Sequence, residues 1–262
     1  MALEGEKLHF NKRGSGKRAL LTFHGFGQDH SIFSPYFEDL ENEYTLYSFD
    51  LFYHGKSHRL NRSLSKSEWA NYISEFLEDN QIDRFSLLSF SLGGRFCIAL
   101  ADFFSNQIDQ IIMLAPDGIY KSSWFLLAVS KLGNPLFKYL MTTQGAFDRL
   151  LKLARVFRLA NTALIKFSEQ ELGTDTRRAQ VYKTWTYFSP LQYSKHEKYE
   201  VFKKLQLPPH IILGIRDSIL PAEKMEAILS RYEHVFIHKI DAKHNQMIKL
   251  SKSLVSTLLK RD

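Results

Sequence analysis

The apolar run at residues 85–88 passes directly into Ser89-Phe90-Ser91-Leu92-Gly93-Gly94, and from Leu92 onward Phe96, Ala99, Leu100 and Phe103 recur at helical spacing. A strand joined to a helix by so sharp a turn constrains the fold strongly. The central Ser91 is forced into an unfavourable backbone conformation, and its small neighbours two before and two after, Ser89 and Gly93, let strand and helix pass closely. Its hydroxyl is then exposed beside the N–H groups that open the helix, where an oxyanion would be stabilised. Taken alone the pattern is weak, because a plain strand end followed by a Ser-Gly-Gly turn reads the same way. Other segments decide the matter.

Strand-like runs at residues 7–10, 19–23, 44–50, 85–90, 110–115, 210–215 and 234–240 alternate with helical stretches, as a mostly parallel sheet of the α/β class requires. Ser65-Lys66-Ser67-Glu68 is a capping box ahead of a helix over residues 69–79. Gly14-Ser15-Gly16 marks a turn between the first two strands and is too short for a phosphate-binding loop. Roughly 90 residues without strand alternation separate the fifth strand from the sixth, far more than a crossover helix needs. They constitute an insertion.

A nucleophilic serine needs an imidazole to accept its proton and a carboxylate to orient that imidazole. Residues 211–217 read as a buried strand ending in Asp217, and Asp241-Ala242-Lys243-His244-Asn245 is a polar loop between the last strand and a final helix over residues 246–260. Ser91, Asp217 and His244 thus follow one another in the chain, each at the C-terminal end of a predicted strand, the edge where parallel sheets place their sites. Asp217 could instead cap the next helix, predicted over residues 222–231, and Asp117, after the fifth strand, is a rival for the acid. His24 reads as a brace for the loop after the second strand. His54 and His58 lie four apart in a turn without a third ligand, so no metal site is expected.

With these residues in place the chain resembles the α/β-hydrolase superfamily, in particular its small esterase and meta-cleavage hydrolase members. The likeness covers most of the sequence outside residues 119–205. Residues 19–27, ending His24-Gly25-Phe26-Gly27, look like that family's strand and oxyanion loop. The resemblance implies an oxyanion hole made by the backbone N–H groups of Phe26 and Leu92. Asp50-Leu51-Phe52-Tyr53-His54-Gly55-Lys56-Ser57 is similar to its D-x-x-G-x-G-x-S turn. Three positions depart from the pattern: Tyr53 and Ser89 stand for glycines, and Lys243 for the glycine that often precedes the histidine. By the same likeness, residues 1–118 and 206–262 form the hydrolase core and residues 119–205 a helical cap within the same folding unit.

The function so implied is a serine hydrolase cleaving a small carboxylic ester, thioester or related acyl compound through an acyl-enzyme on Ser91, with no cofactor. A second reading remains open. Ser91-Leu92-Gly93-Gly94-Arg95 also resembles the S-x-G-G-R segment of a menaquinone-pathway lyase that eliminates pyruvate. There the triad acts as a base and arginines bind substrate carboxylates; Arg95 would be one, with Arg177 or Arg178 as partners in the cap.

A chain of 262 residues, 44% hydrophobic, is long enough to bury about three quarters of its unfolded surface. The one cysteine, Cys97, excludes an internal disulfide and reads as a small buried residue. No apolar run is long enough to span a membrane, and the first residues lack the basic flank of a signal peptide, so a cytoplasmic chain is expected. Residues 121–204 carry 15 Lys and Arg against 6 Asp and Glu, while the remainder carries 20 against 22. The positive excess therefore sits in the cap, where it would draw in an anionic substrate, rest on an acidic membrane surface, or serve solubility alone. No nucleic-acid recognition module is present. Trp124 and its apolar neighbours could line a pocket for an acyl or aromatic group, and equally could be packing. An apolar stripe of Phe147, Leu150, Leu151, Ala154 and Phe157 marks a cap helix, with Arg149, Lys152, Arg155 and Arg158 on its other faces.

Overall fold

Seven strands form one sheet in the order β1-β3-β2-β4-β5-β6-β7, in a computed structural model that describes residues 6–156 and 172–260, with the side chains of Ser123 and Trp124 outside the description. The strands are β1 Phe10–Arg13, β2 Arg18–Phe23, β3 Tyr44–Phe49, β4 Phe85–Phe90, β5 Ile108–Leu114, β6 His210–Gly214 and β7 Phe236–Ile240. Only β1 runs antiparallel; every other neighbouring pair is parallel, as the alternation of strands and helices predicts. The first strand is displaced from its expected position, starting at Phe10 where the sequence suggests residues 7–10. As an edge strand it exposes both of its charged residues, Lys12 and Arg13, so no apolar alternation marks it.

The chain divides into two compact units, one made of Met1–Asn61, Ser65–Tyr120 and Leu191–Asp262, the other of Arg62–Leu64 and Lys121–Pro190. In the first unit alternate residues of β2 feed opposite layers. Phe23 meets Trp69 of α1 (Lys66–Asp79), and Trp69 in turn meets Phe96 of α2 (Gly93–Phe103), the rings 5.5 and 4.9 Å apart. Leu20 joins Leu46, Leu88, Ile112 and Ile212 in a cluster closed by Phe33, Tyr36 and the last helix of the chain. Tyr36 ties that layer down by donating its hydroxyl to the Ile248 carbonyl at 2.9 Å. The capping box at Ser65 and Glu68 forms as expected. The final helix, by contrast, is interrupted at Ser251 between Met247–Leu250 and Lys252–Leu259, because Ser251 turns inward, fully buried, to meet the Tyr36 hydroxyl at 2.9 Å.

The second unit holds α3 Ser123–Val129, α4 Gly133–Thr142, α5 Ala146–Val156 and α6 Asp175–Tyr187, with Leu64 donating its N–H to the Tyr187 carbonyl. Its core gathers Met141, Phe147 and Tyr182, with Phe137, Leu140, Leu151 and Leu172 packed against them. Of the expected stripe on α5, Phe147 and Leu151 face this core, Leu150 is exposed, and Phe157 and Arg158 lie outside the described residues. The division also falls elsewhere than the sequence suggests, since residues 191–205 belong to the first unit. The reason is α7, Lys195–Lys204. Its Lys198, only 1% exposed, donates to the carbonyls of Gly118 and Ile119, and its Val201 and Phe202 are buried. The first unit also holds α8, Ala222–Leu229, and α9, Lys252–Leu259. Among the described residues no helix is long and apolar enough to cross a membrane.

The two loops that leave β2 and β3 are locked together by buried polar groups. Asp50, fully buried, accepts from the backbone N–H groups of His30 and Lys56 and from the Nδ1 atoms of His9 and His30, all at 2.8 to 2.9 Å. These donors hold its carboxyl below the usual range although burial opposes them. His24, also fully buried, donates from Nδ1 to the Gly25 carbonyl at 2.6 Å and accepts the Leu51 N–H on Nε2 at 3.0 Å. That pairing requires neutral imidazole. Burial, aided by neighbouring His54, lowers the His24 pKa from 6.5 to about 3.

Two stability measurements test this account. Trp69→Ala removes the largest fully buried side chain and its Nε1 bond to the Phe96 carbonyl, and is expected to cost about 3–5 kcal/mol in urea unfolding. Because the folded pKa of His24 lies below its unfolded value, its contribution is complete above pH 6.5 and fades as pH falls toward about 3. His24→Gln should therefore be less stable near neutrality, and should lose stability less steeply than the parent protein in acid. The difference in slope is at most about 1.4 kcal/mol per pH unit for one proton.

Candidate active site

Ser91 follows the last residue of β4 and takes φ +48°, a left-handed conformation that side chains rarely adopt. Backbone bonds hold it there. Its N–H donates to the Leu114 carbonyl at 3.0 Å, and its own carbonyl accepts from Gly94 at 2.9 Å and Asp117 at 2.8 Å. The close passage anticipated from Gly93 is real: a Cβ at that position would lie 2.1 Å from the Phe23 carbonyl oxygen. Gly94 similarly leaves no room beside Pro116 and the Asp117 carbonyl. Leu92, next after Ser91, already has helical backbone angles, so its N–H belongs to the first turn of α2, whose donors have no intrahelical acceptor.

The Ser91 hydroxyl lies 3.0 Å from Nε2 of His244, and Nδ1 of His244 lies 2.6 Å from Oδ2 of Asp217. The other Asp217 oxygen accepts the N–H groups of Ile219 and Leu220 at 2.8 and 2.9 Å, which fixes the carboxylate's plane. Asp217 is therefore both a turn-former and the partner of the histidine, and it does not cap the helix that follows, whose N-cap position is taken by Pro221 without a side-chain bond. Its hydrogen bond with His244 Nδ1 leaves the imidazole only its Nε2 edge for the serine. The rival acid, Asp117, is directed elsewhere, pairing with Arg95 at 2.6 Å.

Several contributors had no clear mark in the sequence. Phe90 packs its ring against the His244 imidazole, centroids 5.0 Å apart. Arg216 pairs with Asp241 at 2.6 Å, while the N–H groups of Ile215 and Arg216 donate to Ile240 and Ala242. The loops carrying Asp217 and His244 are thereby joined. Gly214 was the available signal, because a Cβ there would meet the Ala242 carbonyl at 2.6 Å.

The turn expected to supply an oxyanion donor is braced on both sides. Gly25 donates its N–H to the Gln28 side chain at 3.0 Å, Gly27 takes φ +72°, and the Phe26 ring meets His54 edge-on. Each departure from the family pattern finds a local solution. Tyr53 adopts φ +68° as a glycine would, held by bonds from its N–H to the His58 carbonyl and from its hydroxyl to the Leu60 carbonyl. Lys243 has φ −81°, which needs no glycine, and Ser89 is small enough to be fully buried.

The expectation that Arg95 offers a guanidinium to substrate is corrected by its surroundings: it is 3% exposed and already matched by Asp117. Arg178 is likewise buried and paired with Asp175 and Asp148 within the second unit. The Trp124 side chain lies outside the description. Burial pushes the Cys97 thiol up to about 12, so it is no competing nucleophile. His9, His30 and Asp50 bring three ligand atoms within 4.8 Å of one another. A metal ion there would have to displace two imidazole protons from a carboxylate that four donors already occupy.

Comparison with known proteins bears on the fold. The family model described as alpha/beta hydrolase fold matches residues 18–245. A 1-acylglycerol-3-phosphate O-acyltransferase of Rattus norvegicus is 30% identical over 115 residues, covering 42% of this chain and 33% of that one. The chain spans about a third of the length of the curated relatives it matches. Among solved structures, a thermophilic esterase from Thermogutta terrifontis aligns with TM-score 0.68 and 17% identity over 97% of this chain and 91% of its own. The enol-lactonase from Burkholderia xenovorans LB400 aligns with TM-score 0.67 and 14% identity over 99% and 97%. With a family match across most of its length and a sheet, elbow and loop order of the same kind, the chain belongs to the alpha/beta hydrolase fold family.

Proposed function

We propose that the protein is a serine hydrolase that cleaves a small carboxylic ester, thioester or related acyl compound. The observation that carries this reading is the continuous line of hydrogen bonds from the Ser91 hydroxyl through His244 to Asp217. In this scheme Ser91 Oγ attacks the acyl carbonyl as its proton passes to His244 Nε2. Asp217 orients the imidazole and stabilises its charged form. The N–H groups of Phe26 and Leu92 stabilise the tetrahedral oxyanion, a contribution whose loss typically costs about a hundredfold or more in rate. Collapse of the intermediate expels the leaving group with the proton held by His244. Water, activated by the same imidazole, then releases the acid and restores the serine.

The esterase and lactonase likenesses support acyl chemistry through the shared fold, and the acyltransferase relative acts on an acyl group as well. Elimination of pyruvate rested on a guanidinium ready for a substrate carboxylate. With Arg95 buried against Asp117, that support is withdrawn.

A fluorophosphonate probe is expected to label the parent protein and to fail on Ser91→Ala and His244→Ala. Turnover of short p-nitrophenyl esters should fall by about ten-thousandfold in Asp217→Asn, where the wrong imidazole tautomer is favoured. Asp117→Asn should act differently, lowering the unfolding midpoint by removing the partner of a buried charge, a change worth about 3–5 kcal/mol, while the folded molecules keep their turnover. Loss of turnover in Asp117→Asn with retention in Asp217→Asn, or pyruvate release in place of ester cleavage, would reject the assignment.

A further inference from the structure

Exposed apolar side chains are concentrated in one stretch of the second unit. Among the described residues, eight of the fourteen large hydrophobic side chains that are exposed fall between positions 126 and 156. Leu132 is the extreme at 93% exposure, and Leu136 and Tyr139 continue its stripe at one-turn intervals along α4. On α5, Leu150, Leu153 and Val156 are exposed at three-residue spacing. These six are not the residues that build the unit's core. Phe137, Leu140 and Met141 of α4, with Phe147 and Leu151 of α5, take that role on adjoining sectors of the same helices. Leu126 and Leu127 of α3 are exposed as well.

Positive charge is interleaved with this surface. Lys131 and Lys138 flank the α4 stripe, and Arg149, Lys152 and Arg155 alternate with the α5 leucines, all of them exposed. Residues 121–156 contain a single acidic group, Asp148, which lies 3.8 Å from the buried Arg178. Leucines that lower apolar surface into an acyl layer, beside long basic side chains that keep their heads among phosphates, are what an interfacial anchor requires. A second copy of the chain would bring the same excess positive charge against itself. A nucleic acid would want several planar groups for stacking, and of the eight exposed side chains only Tyr139 offers one.

From this complementarity we propose that α3, α4 and α5 form a docking surface for a membrane leaflet rich in anionic phospholipid, with the leucines entering the headgroup and acyl boundary. The surface works independently of the chemistry at Ser91.

Flotation with phosphatidylcholine vesicles, with and without phosphatidylglycerol, tests the proposal on the full chain. Expected are binding to the anionic vesicles, at least about tenfold weaker binding to the neutral ones, and weakening as salt is raised. Lys131→Glu/Lys138→Glu and Leu132→Glu/Leu136→Glu, whose wild-type side chains are exposed and whose folding circular dichroism would confirm, should each reduce binding by about tenfold or more. Ser91→Ala should bind as the parent protein does, so failure of the hydrolase assignment and failure of the docking assignment are read separately. Equal binding to both vesicle types, absence of binding, or undiminished binding by the folded glutamate variants would overturn the proposal. So would sedimentation showing a dimer that Leu132→Glu/Leu136→Glu dissolves, since the surface would then serve a second copy.

Discussion

The missing side chain of Gly93 is the constraint on which the rest of the site depends. With the Phe23 carbonyl where a Cβ would stand, α2 begins directly against β2, and the chain between β4 and α2 has room only for a left-handed Ser91. That conformation lifts the hydroxyl off the sheet edge and leaves the first N–H groups of the helix beside it. The strain at one residue is held by three backbone bonds with Leu114, Gly94 and Asp117, so the position of the Ser91 hydroxyl is set by the sheet and not by its own side chain.

A second layer of control comes from groups that never approach the serine. Asp50 gathers four donors from three segments, and His24 joins the turns after β2 and β3 through opposite edges of one ring. Each bond demands a defined protonation state, carboxylate for Asp50 and neutral imidazole for His24. Buried polar groups satisfied in this way specify a single loop arrangement more sharply than apolar packing would.

Much of this was readable from residue order. The buried parallel strands announce themselves as apolar runs, and β4 occupies the expected residues because all six of its side chains are covered. Ser91, Asp217 and His244 were legible because parallel strands deliver their C-terminal ends to one edge. Asp117 was carried as a rival to Asp217 because its capture by Arg95, a contact with no periodic signature, does not show in residue order. The same holds for Leu150, which satisfies the helical spacing of a packed stripe yet faces outward, since spacing alone does not say how wide the covered sector is. Residues 191–205 were assigned to the insertion because no strand alternation marks the chain between the fifth and sixth strands; what returns them to the sheet unit is a buried lysine side chain, which charge patterning reads as surface.

That ammonium has a thermodynamic consequence for the molecule as a whole. Lys198 sits a few residues after the polypeptide re-enters the sheet unit and grips Gly118 and Ile119, just before it departs, so both ends of the excursion are clasped at a single knot. The entropy of closing this long loop is thus met within the sheet unit itself, and melting of the excursion need not propagate into the strands. The points where the chain leaves and rejoins the sheet unit are thereby fixed by that unit's own residues.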